Sequence, residues 1–322
     1  MKNVSQRSYF GKALVELGNR REDVVVLDAD LCSSTKTGDF AAAHPERFFQ
    51  MGIAEQNMMG TAAGLAASGK IVYASTFAVF ATGRCWDQIR QSIAYPEMNV
   101  KVVSTHCGIS VGGDGASHQA LEDVSLMRSL PNMTVISPAD AEEAYKATLA
   151  MAEWDGPCYM RMGRADFPLV TKEEDEFRIG KASVLKKGKD VSIVATGQMV
   201  ALALDAARAL KEEGINAEVI NMSTIKPLDT ETLAASLAKT RCAVTAEEHS
   251  IIGGLGSAVA EYMAESGGHL LLRVGVRDTF GESGTPEELM EKYGLTAEDI
   301  AIAARKVIAG NTKKRKGFLW RK

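Results

Sequence analysis

Apolar residues in this chain fall into two kinds of run that alternate. EDVVVLDAD (22–30), IVYASTF (71–77), NVKVVST (99–105), NMTVIS (132–137) and PCYMR (157–161) are short, nearly continuous and apolar, the signature of parallel strands buried on both faces. Between them lie helical patterns at 5–20 (SQRSYFGKALVELGNR, with Ser5 as N-cap), 84–94 and 139–153. RFFQMGI (47–53) approaches like a strand and leads into NMMGTAAGLAASG (57–69), which has no polar face and predicts a buried helix. After the charged, irregular stretch 166–180 a second series follows: strands at 190–197, 216–223, 242–249 and 270–276, with helices at 198–213, 229–238 and 254–265. The rhythm predicts an α/β fold of two doubly wound domains, parallel sheets with helices on both faces. The expected boundaries are 1–168 for the first domain, 169–182 for a linker, 183–310 for a smaller second domain and 311–322 for a basic tail.

Composition narrows the function classes. The 322 residues are 46% hydrophobic with a net charge of −4, which gives no global electrostatic case for nucleic acid or an anionic membrane. No apolar run reaches the length of a membrane span, and the first ten residues lack a signal-peptide core. The basic tail TKKRKGFLWRK (312–322) reads as a solvated end or a docking segment. Five scattered cysteines with no C-x-x-C spacing argue against zinc and disulfide frameworks and suit a reducing cytoplasm.

Candidate chemistry clusters at the C-terminal ends of predicted strands, where open α/β sheets place ligands. One cluster is DADLCSST (28–35). Another is Glu55, a carboxylate at the start of the apolar helix, readable also as a first-turn acid that satisfies the helix N-terminus. The third is the Gly-rich HCGISVGGDGASHQ (106–119), with two of the five histidines; it matches neither a phosphate-binding P-loop nor a dinucleotide fingerprint. Phe77 and Phe80, three residues apart in STFAVF (75–80), read on their own as core residues.

Taken in order, RFFQMGIAEQNMMGTAAGLAASG, ASTFAVFATGRCWDQIR and HCGISVGGDGASHQALED resemble the pyrimidine-binding half of a thiamine-diphosphate enzyme of the transketolase family. INMSTIKPLD (220–229) and TAEEHSIIGGLG (245–256) are similar to that family's C-terminal domain, so the resemblance covers nearly all of residues 1–310. It implies thiamine diphosphate as cofactor. Glu55 matches the glutamate that hydrogen-bonds the aminopyrimidine ring and favours the imino tautomer, whose nitrogen removes the thiazolium proton; an apolar pocket would strengthen that bond. Phe77 and Phe80 match the positions that pack the pyrimidine, and Asp30 and Leu31 match residues lining the cofactor pocket. Gly83 stands where the family's transketolases carry a further aromatic.

The same resemblance places His106, Asp114 and His118 where ketose oxygens are held and protonated, and Arg7, Ser34 and Arg164 where the sugar's terminal phosphate binds. Each histidine also reads as a structural one, and Arg7 as a surface charge. A complete transketolase needs a further domain that grips the diphosphate through Mg²⁺. The G-D-G at 113–115 lies in the substrate loop by motif order, and the first helix opens too close to residue 1 to leave room upstream. The implied protein is the C-terminal subunit of a split transketolase, with the Mg²⁺ site on a separate N-terminal subunit. An α2β2 assembly paired through the pyrimidine domains, acting on sugar phosphates, is expected. The other readings are the beta subunit of a 2-oxoacid dehydrogenase, a relative of deoxyxylulose-phosphate synthase, and a non-catalytic scaffold subunit.

Overall fold

A computed structural model describes residues 3–319 of the chain, with side chains through Thr312. The strands Val24–Asp28, Ile71–Phe77 and Val100–Thr105 are buried at every position, as continuous apolar runs demand. They lie in a seven-stranded sheet ordered Thr224–Lys226, Thr134–Ile136, Cys158–Arg161, Val100–Thr105, Ile71–Phe77, Val24–Asp28 and Phe48–Gln50. All pairings are parallel except that of the edge strand Thr224–Lys226. Alternate residues feed opposite faces. Val24 and Val26 pack with Phe10, Leu14 and Met151 on one side, while Val25 and Leu27 pack with Met58, Ala62 and Ile89 on the other.

The second sheet has five strands ordered Leu270–Val276, Cys242–Ser250, Val191–Ala195, Ala217–Asn221 and Ser183–Lys186, the last antiparallel. It too is covered on both faces. Helices Met199–Glu212 and Ala297–Leu319 pack on one side, and Thr230–Thr240 and Leu255–Glu265 on the other. Both sheets are doubly wound.

Caps set the helix starts. Ser5 accepts the Ser8 N–H at 3.3 Å, and Asp140 accepts the Glu143 N–H at 2.9 Å. Four of the five cysteines are buried and Cys32 is half-buried. No helix among the described residues is long and apolar enough to cross a membrane.

Four expectations need correction. Helix Glu55–Ala67 is not buried all round: Gln56, Asn57, Gly60 and Gly64 form an exposed stripe. The stretch 84–94 is not one α-helix; π-helical turns at Phe80–Arg84 and Ile89–Ala94 flank the α turn Trp86–Gln88. The irregular stretch 166–180 includes Phe167–Pro168, which pairs antiparallel with Asn3–Val4. The stretch read as a tail continues the backbone of helix Ala297–Leu319; its side chains beyond Thr312 and residues 320–322 lie outside the described residues.

Glu143, in the first turn of helix Ala141–Ala152, joins the two sheets. It accepts the Ala139 N–H at 2.6 Å and the Asn221 side-chain amide at 2.8 Å. Burial pushes its carboxyl up to about 7 despite those donors. The fold therefore favours the neutral acid. Its stabilising contribution is complete below the ordinary glutamate range, about 4.3, and is lost as pH rises through about 7. Glu143→Gln is expected to raise the melting temperature relative to wild type more at pH 8 than at pH 5. Thermal unfolding at the two pH values checks this, and equal shifts at both would rule it out.

Candidate active site

The candidate residues project from one rim of the seven-stranded sheet. Strand Val24–Asp28 leads to Asp30, Leu31 and Ser34, and Phe48–Gln50 leads to Glu55. Ile71–Phe77 ends in Phe77 and is followed by Phe80; Val100–Thr105 is followed by His106 and His118; Cys158–Arg161 is followed by Arg164. Parallel strands put these ends on the same side, so residues far apart in sequence converge. Arg7 joins them from the first turn of helix Gln6–Arg20.

Glu55 is the first residue of its helix and only 3% exposed. The surroundings are not simply apolar, as the sequence suggested. Arg84 Nη1 lies 2.6 Å from Glu55 Oε1, and the guanidinium sits 4.6 Å from the centre of the Phe80 ring. The π-helical turn Phe80–Arg84 carries both residues, and the Arg84 carbonyl accepts Gln56 Nε2 at 2.9 Å. A planar N–H donor thus occupies the carboxylate and stacks on an aromatic face at the same time.

The aromatic wall continues inward. Phe77 and Phe80 are near-parallel with centroids 5.9 Å apart, and Phe77 stacks on the His106 imidazole at 3.7 Å. His118 meets Phe80 edge-on at 5.4 Å and Phe77 at 6.3 Å. His106 is held in a left-handed backbone conformation (φ +58°), with Nδ1 2.9 Å from the Thr105 hydroxyl. Burial, with Arg7, Arg164 and His118 adding to it, pulls its pKa down to about 3. The ring is neutral at physiological pH and can both donate and accept. His118 is half-buried, its Nδ1 3.0 Å from the Ser117 hydroxyl.

Arg7 ties the cationic side together. Its Nη1 donates to the Ser34 carbonyl at 2.9 Å and its Nη2 to the Arg164 carbonyl at 2.8 Å; its Nε is buried with no partner among the described residues. Burial lowers its pKa, opposed by Asp166 and reinforced by Arg164. Arg164 donates to the Val111 carbonyl at 2.9 Å, so it touches the Gly-rich loop. Ser34 joins the group through its backbone carbonyl. Asp114 is exposed on the outer turn and makes no side-chain bond to the others among the described residues.

Asp30 (φ +64°) and Leu31 are held by their backbones. The Asp30 N–H donates to Gln50 Oε1, and the Leu31 N–H to Asp28 Oδ1, each at 2.6 Å. Asp28 is fully buried and also accepts the Thr35 and Thr37 hydroxyls at 2.7 and 2.8 Å. The sequence reading missed Asp28 as the anchor of this loop, although it opens DADLCSST. It also missed Arg84, which had been read only as the start of a helix.

A doubly wound α/β chain with its polar groups gathered on one parallel-sheet rim belongs to the open-sheet class that binds ligands at strand ends. Residues 2–169 match the family described as transketolase, pyrimidine binding domain, and residues 180–300 match transketolase, C-terminal domain. The chain belongs to the transketolase family, and it corresponds to the C-terminal section of a split-gene transketolase. A protein of Methanocaldococcus jannaschii named as a transketolase C-terminal section is 52% identical over 298 residues, 92% of this chain and 93% of the relative. The 6-deoxy-6-sulfo-D-fructose transketolase subunit SqwH of Clostridium sp. (strain MSTE9) is 46% identical over 301 residues, 94% of each. A solved structure described as a split gene transketolase, inactive beta4 tetramer, superposes with a TM-score of 0.90 at 55% identity, covering 96% of this chain and 99% of that one.

Two measurements probe this geometry. Arg84→Ala should destabilise the chain by about 1–2 kcal/mol, since a buried carboxylate loses a charged donor that is itself half exposed. In a Glu55→Gln background the same change should cost little, and a double-mutant cycle with no coupling would show that the pair does not exist in solution. For His106, the imidazole ¹H–¹³C resonances should not titrate between pH 5 and 8; a midpoint near 6.5 would contradict the buried, cation-flanked setting.

Proposed function

We propose that this chain is the half of a two-subunit transketolase that receives the pyrimidine ring of thiamine diphosphate. With a separate N-terminal subunit it would transfer a two-carbon ketol unit from a ketose phosphate to an aldose phosphate. The observation that carries the proposal is the buried Glu55 carboxylate beside the Phe77–Phe80 wall. Arg84 already presents there a flat N–H edge to the carboxylate and a face to Phe80, the two contacts an aminopyrimidine would need. The residues therefore fit the cofactor.

In this reading Glu55 would hydrogen-bond the pyrimidine, Phe77 and Phe80 would pack against it, and Asp30 and Leu31 would line the cofactor pocket. Thiamine diphosphate, when bound, supplies the carbon nucleophile that accepts and releases the ketol unit. His106, neutral and stacked on Phe77, and His118, at the rim, hold and move protons at the sugar oxygens. Asp114 accepts from a sugar hydroxyl. Arg7, Ser34 and Arg164 take the terminal phosphate. Mg²⁺ is assigned to the N-terminal subunit.

The sugar itself is left broad, because a relative similar along nearly the whole chain is named for a sulfosugar rather than a pentose. The 2-oxoacid dehydrogenase reading is not favoured, since both halves match transketolase domains. Pairing through the pyrimidine domains is supported by the exposed face of helix Glu55–Ala67, where Gly60 and Gly64 leave open space above the backbone. The solved relative described as an inactive beta4 tetramer supports inactivity without the second subunit. A cytoplasmic location is proposed with the enzyme.

The test is ketol transfer from xylulose 5-phosphate to ribose 5-phosphate, with thiamine diphosphate and Mg²⁺, on the chain alone and co-expressed with its N-terminal partner. Activity is expected only in the pair. Glu55→Gln should leave cofactor binding within a few-fold and lower turnover by several orders of magnitude. Near-wild-type turnover in that variant would remove Glu55 from its role. A pair that binds no thiamine diphosphate would overturn the proposal.

A further inference from the structure

The structure assigns to Glu248, on strand Cys242–Ser250 of the second sheet, the role of positioning residue for the loop that carries His106 and His118. The inference rests on the reading of that loop as the sugar-binding one.

Glu248 is 4% exposed and reaches across from the C-terminal half. Its Oε1 accepts the Ser110 N–H at 2.6 Å, and its Oε2 is bonded by Gln198 Nε2. The same Gln198 nitrogen lies 3.1 Å from the Ser110 hydroxyl, so carboxylate, amide and serine close a triangle around one peptide. Gly108, two residues earlier, has φ +76°, and a β-carbon there would stand 2.3 Å from the Glu248 carboxyl carbon. The loop lies against this carboxylate only because position 108 has no side chain.

A second bracket closes the other end. Gln119 Nε2 donates to the Ile109 carbonyl at 3.2 Å and to the Glu282 carbonyl of the C-terminal half at 2.9 Å. His106 precedes Gly108 by two residues and His118 directly precedes Gln119. Each imidazole thus stands beside a fixed point, while the turn between them, with Gly113 and Asp114, is exposed. Among the described residues Glu248 has no bond to either imidazole and reaches them through the loop, by its bond to the Ser110 N–H, its link through Gln198 and its packing against Gly108. The cofactor wall of Glu55, Phe77 and Phe80 is built on other strands; it meets the loop only where its rings stack on His106 and His118, and among the described residues it has no hydrogen bond to this bracket. Loosening the bracket should blur the sugar side of the site and spare the cofactor side.

The experiment uses the full chain with its N-terminal partner and compares wild type with Glu248→Ala, Glu248→Gln and Gln198→Leu. Hydrogen–deuterium exchange reads the loop directly, calorimetry reads thiamine diphosphate affinity, and initial rates read KM and kcat for xylulose 5-phosphate. Glu248→Ala should speed exchange in 106–119 by about tenfold. It should also raise KM or lower kcat by about tenfold or more, with cofactor affinity within twofold. Glu248→Gln keeps an oxygen for the Ser110 N–H but turns a donor toward Gln198 Nε2, and should fall between wild type and Glu248→Ala. Gln198→Leu, at a less buried position, should show the same loop signature more weakly and decides the matter if Glu248→Ala does not fold. Unchanged exchange in 106–119, or a rise spread equally over the chain, would overturn the assignment. A wild-type pair without ketol transfer would count against the functional reading alone, because the exchange comparison needs no substrate.

Discussion

The two halves of the chain are joined beside the rim through one buried ion pair. Arg161 Nε lies 2.8 Å from Asp123 Oδ2, with the guanidinium 3% exposed and the carboxylate fully buried. Breaking such a pair costs about 3–5 kcal/mol, since a charge is left without a partner in a low-dielectric interior. The charge balance is met within the first domain, where the Tyr159 hydroxyl also donates to Asp123 at 2.7 Å. The two remaining arms of Arg161 then reach the Glu248 carbonyl, each at 3.2 Å, and fasten the second sheet to the first. His249 stands next, 3.8 Å from both Asp123 and Glu247, with Nδ1 donating to the Ser250 carbonyl. A strand of one half and a strand of the other are thus locked at adjacent rim positions.

That lock lets the rim hold opposite electrostatic settings close together. On the Glu55 side a carboxylate and a guanidinium face each other. On the His106 side, burial and two nearby arginines keep an imidazole neutral. Phe77 separates the two regions and is itself clasped between Phe80 and His106. Such contrast on either side of one aromatic wall needs side chains that cannot relax toward one another, which is what pre-organisation means physically.

Strands were legible in the sequence because burial on both faces leaves a simple mark, and Val24–Asp28, Ile71–Phe77 and Val100–Thr105 fall where the apolar runs stand. The rim was legible because polar clusters directly follow those runs. What stayed hidden depended on distant partners or on backbone irregularity. Arg84 sits in an unremarkable amphipathic stretch, and only the π-helical turn aims it at Glu55. The bond from Glu248 to Ser110 spans 138 positions, a separation at which periodicity carries no information. Helices Pro286–Lys292 and Ala297–Leu319 were not anticipated, although Thr285 and Glu288 form a capping box that marks the first of them.

Strand Thr224–Lys226 belongs by sequence to the second half and by hydrogen bonding to the first, where it covers the exposed edge of Thr134–Ile136. Lys226 strengthens the join by donating to the Arg128 and Leu130 carbonyls. The two halves are therefore not modules in the sense of parts that can be exchanged or expressed separately. A break between them would strip the first sheet of its border strand and leave an open edge of unpaired backbone groups, the kind that recruits other chains. The first sheet is complete only when a strand from beyond its own stretch of sequence borders it, so the boundary between the halves in sequence and the boundary in hydrogen bonding do not coincide.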